Sequence, residues 1–369
     1  MGVLSTNFLG NAKSKLRYLS STLYSTASHV KSQAHVPRGF AVDPNNNDGK
    51  IRFLFMYFVK NIRYSSVISA ETSWKVDELR SKKFVRFTAK SSKPPPEVLE
   101  YDIAASIDDL MLVWSWARLR RRRNDILWNP TNDEIKLISL PPDFDPFFVD
   151  LLVGLGFDPA KPHGYKMVKI LIDHCEFKAP PEFRAALYSL ENDSWRKIAY
   201  PYQEQGIPTA RASIRVGGSY YWGLSSMPRS IISFDFASEK FSPSPIPFPG
   251  KIRYETADYL LVEFDGSLAI LLLTNVSNNA QEPYSTFEIW VWNDESWSLK
   301  SEFKIPVAID HVVGLFGNNK LFVQDITGKV LLFDVAEPRL VDITGICADS
   351  KAVWILPYVE SPVPLNASE

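Results

Sequence analysis

The residues able to do chemistry in this chain are few and scattered. Histidine occurs at His29, His35, His163, His174 and His311, and cysteine at Cys175 and Cys347. A structural zinc site needs four donors at short intervals, and no pair among these residues has that spacing. His174 and Cys175 are neighbours, so in a strand their side chains point to opposite faces. The carboxylate pair Asp143/Asp145 sits in the Pro-rich run PPDFDPFF, where acidic residues serve as solvated turn formers. There is no Gly-x-Ser-x-Gly elbow and no Gly-rich loop ending in Lys-Ser or Lys-Thr. Gly154 and Gly156 begin a Gly-x-Gly, but a Phe-Asp-Pro turn comes next where a dinucleotide fold requires a helix. No catalytic set, metal or cofactor is expected, and two cysteines are too few for a disulfide framework.

Function is then expected on a surface, through exposed aromatics that give contact area at low entropic cost. The candidates are Phe147 and Phe148 in PDFDPFFV, Tyr200 and Tyr202 in AYPYQEQ, Tyr220 and Tyr221 in GSYYWG, and Tyr284. For each of them the alternative is packing back onto its own sheet. A second candidate is basic: Arg118, Arg120, Arg121, Arg122 and Arg123 crowd into six positions. Such a run can serve as a nuclear-import signal or bind phosphate. It has no accompanying stacking platform, and the formal net charge of the chain is -1, so a solvated hairpin tip is favoured and nucleic acid is not an expected partner. No run is long enough to span a membrane; residues 268–273, LAILLL, read instead as a buried strand.

The elements that would position these residues emerge from a repeat. An aromatic followed seven residues later by a large apolar residue recurs as Trp128/Ile135, Tyr188/Trp195, Phe234/Phe241, Trp290/Trp297 and Phe333/Leu340, at intervals of 43 to 60 residues. Between the members of each pair lies a polar or Pro-containing turn: NPTNDE, LENDS, FASEK, WNDES, VAEPR. Short apolar runs flanking Asn, Asp, Ser and Pro are hairpin signals, and the interval leaves room for one four-stranded sheet per copy, as in propellers with blades of roughly 40 to 50 residues. The fold class expected is all-β, a kelch-like β-propeller with a short N-terminal extension of mixed or irregular structure. The aromatic pairs are expected to pack between blades.

Around that repeat the chain divides by composition. Residues 1–42 contain no Asp or Glu but carry Lys13, Lys15, Arg17, Lys31 and Arg38, the pattern either of a basic tail or of an organelle transit peptide. Residues 43–98 read as a short segment closed by the stiff Pro94–Pro96 linker, residues 99–360 as the propeller and residues 361–369 as a tail. Asp265-Gly266 and Gly217-Gly218 are the clearest tight turns, and Pro243–Pro249 must be an extended loop or a sheet edge.

One further feature is the order of short motifs. WNP at 128–130, LPP at 140–142, GFDP at 156–159 with YKMVKI at 165–170, LYSLENDSWRKI at 187–198, IISFDFASEKF at 231–241 and FEIWVW at 287–292 with ESW at 295–297 succeed one another between about residue 126 and residue 343. In that order they resemble the F-box-associated interaction domain of plant proteins. The resemblance implies a kelch-like propeller that binds protein. Such a propeller is usually joined to an N-terminal F-box that docks a Skp-type adaptor in a cullin-based ubiquitin ligase. No Leu-Pro pair precedes Leu140-Pro141, so the box is read as absent or degenerate, with Ser73-Trp74 and KKFVRFTAK at 82–90 as the remnant of the segment on its C-terminal side. The expected function is a protein-interaction module, the substrate-recognition component of such a ligase, in the cytoplasm or nucleus. The alternative is an organelle-imported scaffold subunit in the mitochondrion or chloroplast, without ligase activity. A propeller hydrolase or lyase is disfavoured because no convergent His, Asp and Glu set is present.

Overall fold

Strands that are apolar at every position, such as LAILLL at 268–273, bury both faces; a strand with one wet face would alternate. The computed structural model shows what covers them. It describes residues 50–59, 62–71, 80–86, 98–107, 110–117, 123–129, 134–139, 141, 149–158, 160, 164–173, 182–202, 210–224, 229–250, 258–277, 282–316, 319–343, 353–357 and 365. All of these lie in the compact unit formed by residues 36–369.

Five sheets are contiguous in sequence. The first holds β4 (Val98–Ile107), β5 (Leu110–Ala117), β6 (Arg123–Asn129) and β7 (Glu134–Ile138). The second holds β8 (Val149–Phe157), β9 (Tyr165–Asp173), β10 (Glu182–Ser189) and β11 (Ser194–Ile198). The third runs β12 (Ala210–Val216), β13 (Ser219–Leu224), β14 (Ser230–Asp235) and β15 (Lys240–Phe241), with β16 (Ile246–Pro247) also paired to β14. The fourth is β17 (Asp258–Phe264), β18 (Ser267–Ser277), β19 (Tyr284–Trp292) and β20 (Trp297–Ile305). The fifth is β21 (Ile309–Phe316), β22 (Lys320–Asp325), β23 (Val330–Asp334) and β24 (Arg339–Asp342).

A sixth sheet is assembled from both ends of the chain. Its order is β25 (Val353–Pro357), β1 (Lys50–Val59), β2 (Ile62–Glu71), β3 (Arg80–Arg86), with Phe55 facing Ile355 on one side and Ser66 on the other. This corrects the division made from composition. Residues 50–86 are not an extension ahead of the propeller, and the segment read as the remnant behind an F-box is largely β3, the outer strand of a blade. The physical reason is that β25 alone has no sheet to join, while β1 needs a partner on its free edge. Ser73-Trp74 and residues 1–49 lie outside the described residues.

The repeat found in the sequence marks the hairpin between third and fourth strands. Trp128 is opposite Ile135, Tyr188 opposite Trp195, Phe234 opposite Phe241 and Phe333 opposite Leu340. In the fourth sheet the turn closes one residue further from the aromatic, pairing Trp292 with Trp297, so Trp290 faces Leu299, two residues from the expected partner. The polar turn residues act as anticipated: Asp235, Asn293 and Asp334 each come directly after the third strand's last aromatic and accept a backbone N–H from the turn, at 2.6, 3.1 and 3.0 Å. Asp265 and Gly266 both have positive φ, 49° and 72°, as a two-residue hairpin requires. The proline run at 243–249 lies along an edge, at β16.

Each core cluster lies between successive sheets. On β18, Ala269, Leu271 and Leu273 pack toward the β21–β24 sheet, while Leu268, Ile270 and Leu272 pack toward β12 and β14. The Gly-x-Gly of β8 belongs to this packing. A Cβ on Gly156 would sit 1.9 Å from the Phe236 ring, and one on Gly154 2.7 Å from Trp222. Gly156→Ala is therefore expected to destabilise the fold by about 1–3 kcal/mol through overpacking, read from the midpoint of urea unfolding. Gly250→Ala, which meets nothing within 4 Å, should leave that midpoint nearly unchanged.

Candidate protein-interaction surface

The charged groups inside the ring hold blades together. Asp125 on β6 and Lys169 on β9 form an ion pair between neighbouring sheets, with side chains 1% and 0% exposed. The Lys169 ammonium also lies 5.6 Å from the Trp195 ring. One interface further on, Lys166 bridges Asp158 and Glu239, each at 2.7 Å, and Arg196 pairs with the same Glu239. Indole N–H groups do similar work: Trp195 donates to the Ser139 carbonyl, Trp297 to Pro247, each at 2.7 Å, and Trp222 to Val153 at 2.9 Å. These polar side chains are engaged by one another and by carbonyls of adjacent blades. Among the described residues no group of three or more His, Cys, Asp or Glu is placed to hold a metal ion. His311 is paired with its neighbour Asp310 at 3.2 Å.

The aromatics singled out in the sequence separate into two groups. Tyr200, Tyr202 and Tyr220 are buried in the cluster between the β8–β11 and β12–β15 sheets. Tyr200 stacks edge-on against Tyr202 and Phe241, with centroids 5.5 Å away in both cases. The Tyr202 hydroxyl donates to the Ser242 carbonyl, and burial pushes its pKa up to about 12. Tyr220 lies 4.9 Å from the Trp222 ring, with its hydroxyl 3.2 Å from Ser213 Oγ. These three are not contact residues: each fills the gap between two sheets, where no partner reaches. Tyr221 is half-buried against the next interface, and burial raises its pKa. Phe147, Phe148, Arg118, Arg120, Arg121 and Arg122 lie outside the described residues, as do Asp143, Asp145, Cys175 and Cys347. Arg123 opens β6 opposite Trp116.

Tyr284 behaves differently. It opens β19 at the edge where β18 turns into β19, half-buried, with the Lys304 ammonium 3.6 Å from its ring centroid and Asn275 Nδ2 donating to its hydroxyl at 3.3 Å. A ring held from its face and its tip is already ordered, so contact with a partner loses little further entropy. Val276, 42% exposed, ends the neighbouring strand. At the same edge of the next sheet stands Ile326, 55% exposed, whose N–H is bonded to the Ala308 carbonyl in the connection between the two sheets. Sequence reading missed Val276 and Ile326 because a single apolar residue beside a turn carries no periodic signal.

The sequence profile of the F-box associated beta propeller domain matches residues 56–358, and the chain belongs to that family. The match begins inside β1 and ends one residue past β25, so it takes in all six sheets. Membership makes the chain a protein-interaction module of the F-box type. Relatives in Arabidopsis thaliana include F-box protein At2g17830, 24% identical over 207 residues, covering 54% of this chain and 50% of that protein. F-box protein ETP2 is 26% identical over 241 residues, covering 62% of this chain and 58% of its own length. The chain spans about half the length of the curated relatives it matches. Among solved structures, TolB from Acinetobacter baumannii aligns with a TM-score of 0.46 at 10% identity, over 84% of this chain and 66% of that one.

Two measurements test the clamps. Lys169→Met takes the cation away from the buried Asp125 carboxylate and is expected to cost about 3–5 kcal/mol in urea unfolding, most of it regained when Asp125→Leu is added. For Asp334, burial raises the carboxyl pKa, but the Lys320 ammonium and the N–H groups of Glu337 and Ala336 outweigh it and hold the value below the ordinary carboxylate range. A folded-state pKa below the unfolded one means stability that is present above about pH 4 and lost as pH falls through the depressed value. Asp334→Asn should accordingly flatten the acid limb of the stability profile below about pH 4.

Proposed function

We propose that this propeller is the substrate-capturing part of a cullin-based ubiquitin ligase, working in the cytoplasm or nucleus, and that it grips its protein substrate at the edge carrying Val276, Tyr284 and Ile326. The observation that carries the reading is the family match over the whole ring, in company with relatives named as F-box proteins. The geometry supports the choice of edge. Interfaces draw their affinity from a few ordered aromatic and apolar anchors ringed by polar groups, and Tyr284 under Lys304, with exposed Val276 and Ile326 at the same edge, has that composition. The interior aromatics cannot serve, and the interior charges are committed to holding the blades.

Affinity purification of the full chain from plant cells is expected to recover a cullin, a Skp-type adaptor and a further protein. The double variant Tyr284→Ala/Ile326→Asp should lose that further protein at least about five-fold while keeping cullin and adaptor. Recovery of a stable organelle complex with neither cullin nor adaptor would overturn the ligase assignment. An unchanged set of interactors in the double variant would overturn the choice of edge.

A further inference from the structure

The proline run at 243–249 breaks the outer strand of the third sheet. β15 pairs Phe241 with Phe234, and the Ser242 N–H continues the ladder to the Ser233 carbonyl at 3.0 Å. Pairing resumes at β16, where Ile246 faces Ile231 and Pro247 faces Ser230. Pro243, Ser244 and Pro245 therefore stand opposite Ile232 alone and bulge out of the ladder. Proline cannot donate to a ladder, so the break falls where two prolines flank one serine. Both ends of the bulge are fastened: the Tyr202 hydroxyl donates to the Ser242 carbonyl, and the Trp297 indole donates to the Pro247 carbonyl at 2.7 Å.

Ser242 and Ser244 are each followed by proline, the pattern that proline-directed kinases accept. Proline after the acceptor brings no N–H that needs a partner in the enzyme's cleft, and it confines the serine to the extended conformations that such a cleft takes. The dipeptide alone does not choose between the two serines. Their surroundings do. Ser242 is half-buried, and its three polar groups are all in use: the N–H on the Ser233 carbonyl, the carbonyl on the Tyr202 hydroxyl, and Oγ as acceptor from Ser233 Oγ at 3.0 Å. Ser244 is exposed at the apex of the bulge, and none of the hydrogen bonds among the described residues engages it.

We propose that Ser244 is a phosphorylation site, the acceptor for a proline-directed Ser/Thr kinase, and that Ser242 is not. The γ-phosphoryl group passes from a nucleoside triphosphate to Ser244 Oγ. The Oγ–P bond forms, the bond from the γ-phosphorus to its bridging oxygen breaks, the hydroxyl proton goes to the kinase's carboxylate base, and the nucleoside diphosphate leaves. The product carries about two negative charges at pH 7 and three acceptor oxygens on the outermost strand of the blade. Because the Ser244 hydroxyl holds nothing in the blade, the modification changes surface charge and leaves the packing alone. The site is independent of the edge at Tyr284 and of membership in a ligase.

The test incubates the full chain, and separately a synthetic peptide of residues 240–249, KFSPSPIPFP, with a mitogen-activated protein kinase and magnesium ATP, and maps the phosphate by mass spectrometry. The peptide lacks the blade and reports the kinase's own preference between the two serines. In the folded chain the ratio of the rate at Ser244 to that at Ser242 should be at least about ten-fold larger than in the peptide, because reaching Ser242 means breaking its bonds to Ser233 and Tyr202. Ser244→Ala should abolish incorporation in this segment of the chain, and the chain phosphorylated at Ser244 should unfold at the urea midpoint of the unmodified one. Absence of phosphate on Ser244 of the folded chain overturns the proposal, as does a ratio equal to that of the peptide. Incorporation at Ser242 of the Ser244→Ala chain, or a lowered midpoint after phosphorylation of Ser244, overturns it as well.

Discussion

The structure depends on burying sheets against one another, as the core clusters between the five successive sheets from β4 to β24 show. A sheet whose strands are apolar at successive positions needs a neighbour on each side, and a linear stack always leaves two outer faces wet. A ring removes those ends. The core clusters record this directly: β18 sends alternate side chains into two different clusters, and neither set faces water. Closure is then a matter of supplying the last sheet, which β25 and β1 do by pairing from opposite ends of the chain.

That constraint settles where polar groups can go. A polar side chain at an interior position needs a partner, and the ion pair of Asp125 with Lys169 and the indole bonds of Trp195, Trp222 and Trp297 all cross between sheets or their connections. Each ties one blade to the next, and the Asp125–Lys169 pair and the Trp222 bond also satisfy buried groups. Turn residues such as Asp235, Asn293 and Asp334 use their oxygens on nearby N–H groups. Among the described residues, large apolar side chains are left exposed at a ring edge, Val276 and Ile326, and on outer strands, Leu137 and Leu299. The two edges differ: one carries Tyr284, Val276 and Ile326, and the other holds Leu365 against Glu134.

Much of this was legible in the chain. The aromatic-to-apolar interval is a real feature of the third hairpin, because residues bracketing a four- to six-residue turn must face each other across it. Four of the five pairs are in register, and in the fifth the turn closes on Trp292 and Trp297, one residue further along, so that Trp290 faces Leu299. The ordered motifs identified the family, while the close packing of Gly154 and Gly156 against Trp222 and Phe236 could not be foreseen. The choice among tyrosines fared worse. Tyr200, Tyr202 and Tyr284 all stand beside turn residues, and nothing local separates the two that enter an interface from the one left at an edge.

The sequence by itself determined the strands, the turns and the repeat, because these are set by residues within a few positions of one another: alternation or continuity of apolar side chains, and short polar groups that satisfy nearby backbone. Only the tertiary structure decided that residues 50–86 complete a sheet begun by 353–357, that Tyr200, Tyr202 and Tyr220 are interior, and that Leu365 is buried with its N–H on Glu134, more than two hundred positions away. Those facts are pairings between distant segments. Which distant surface covers a given side chain is fixed when the ring closes, and no window of the chain contains both members of the pair.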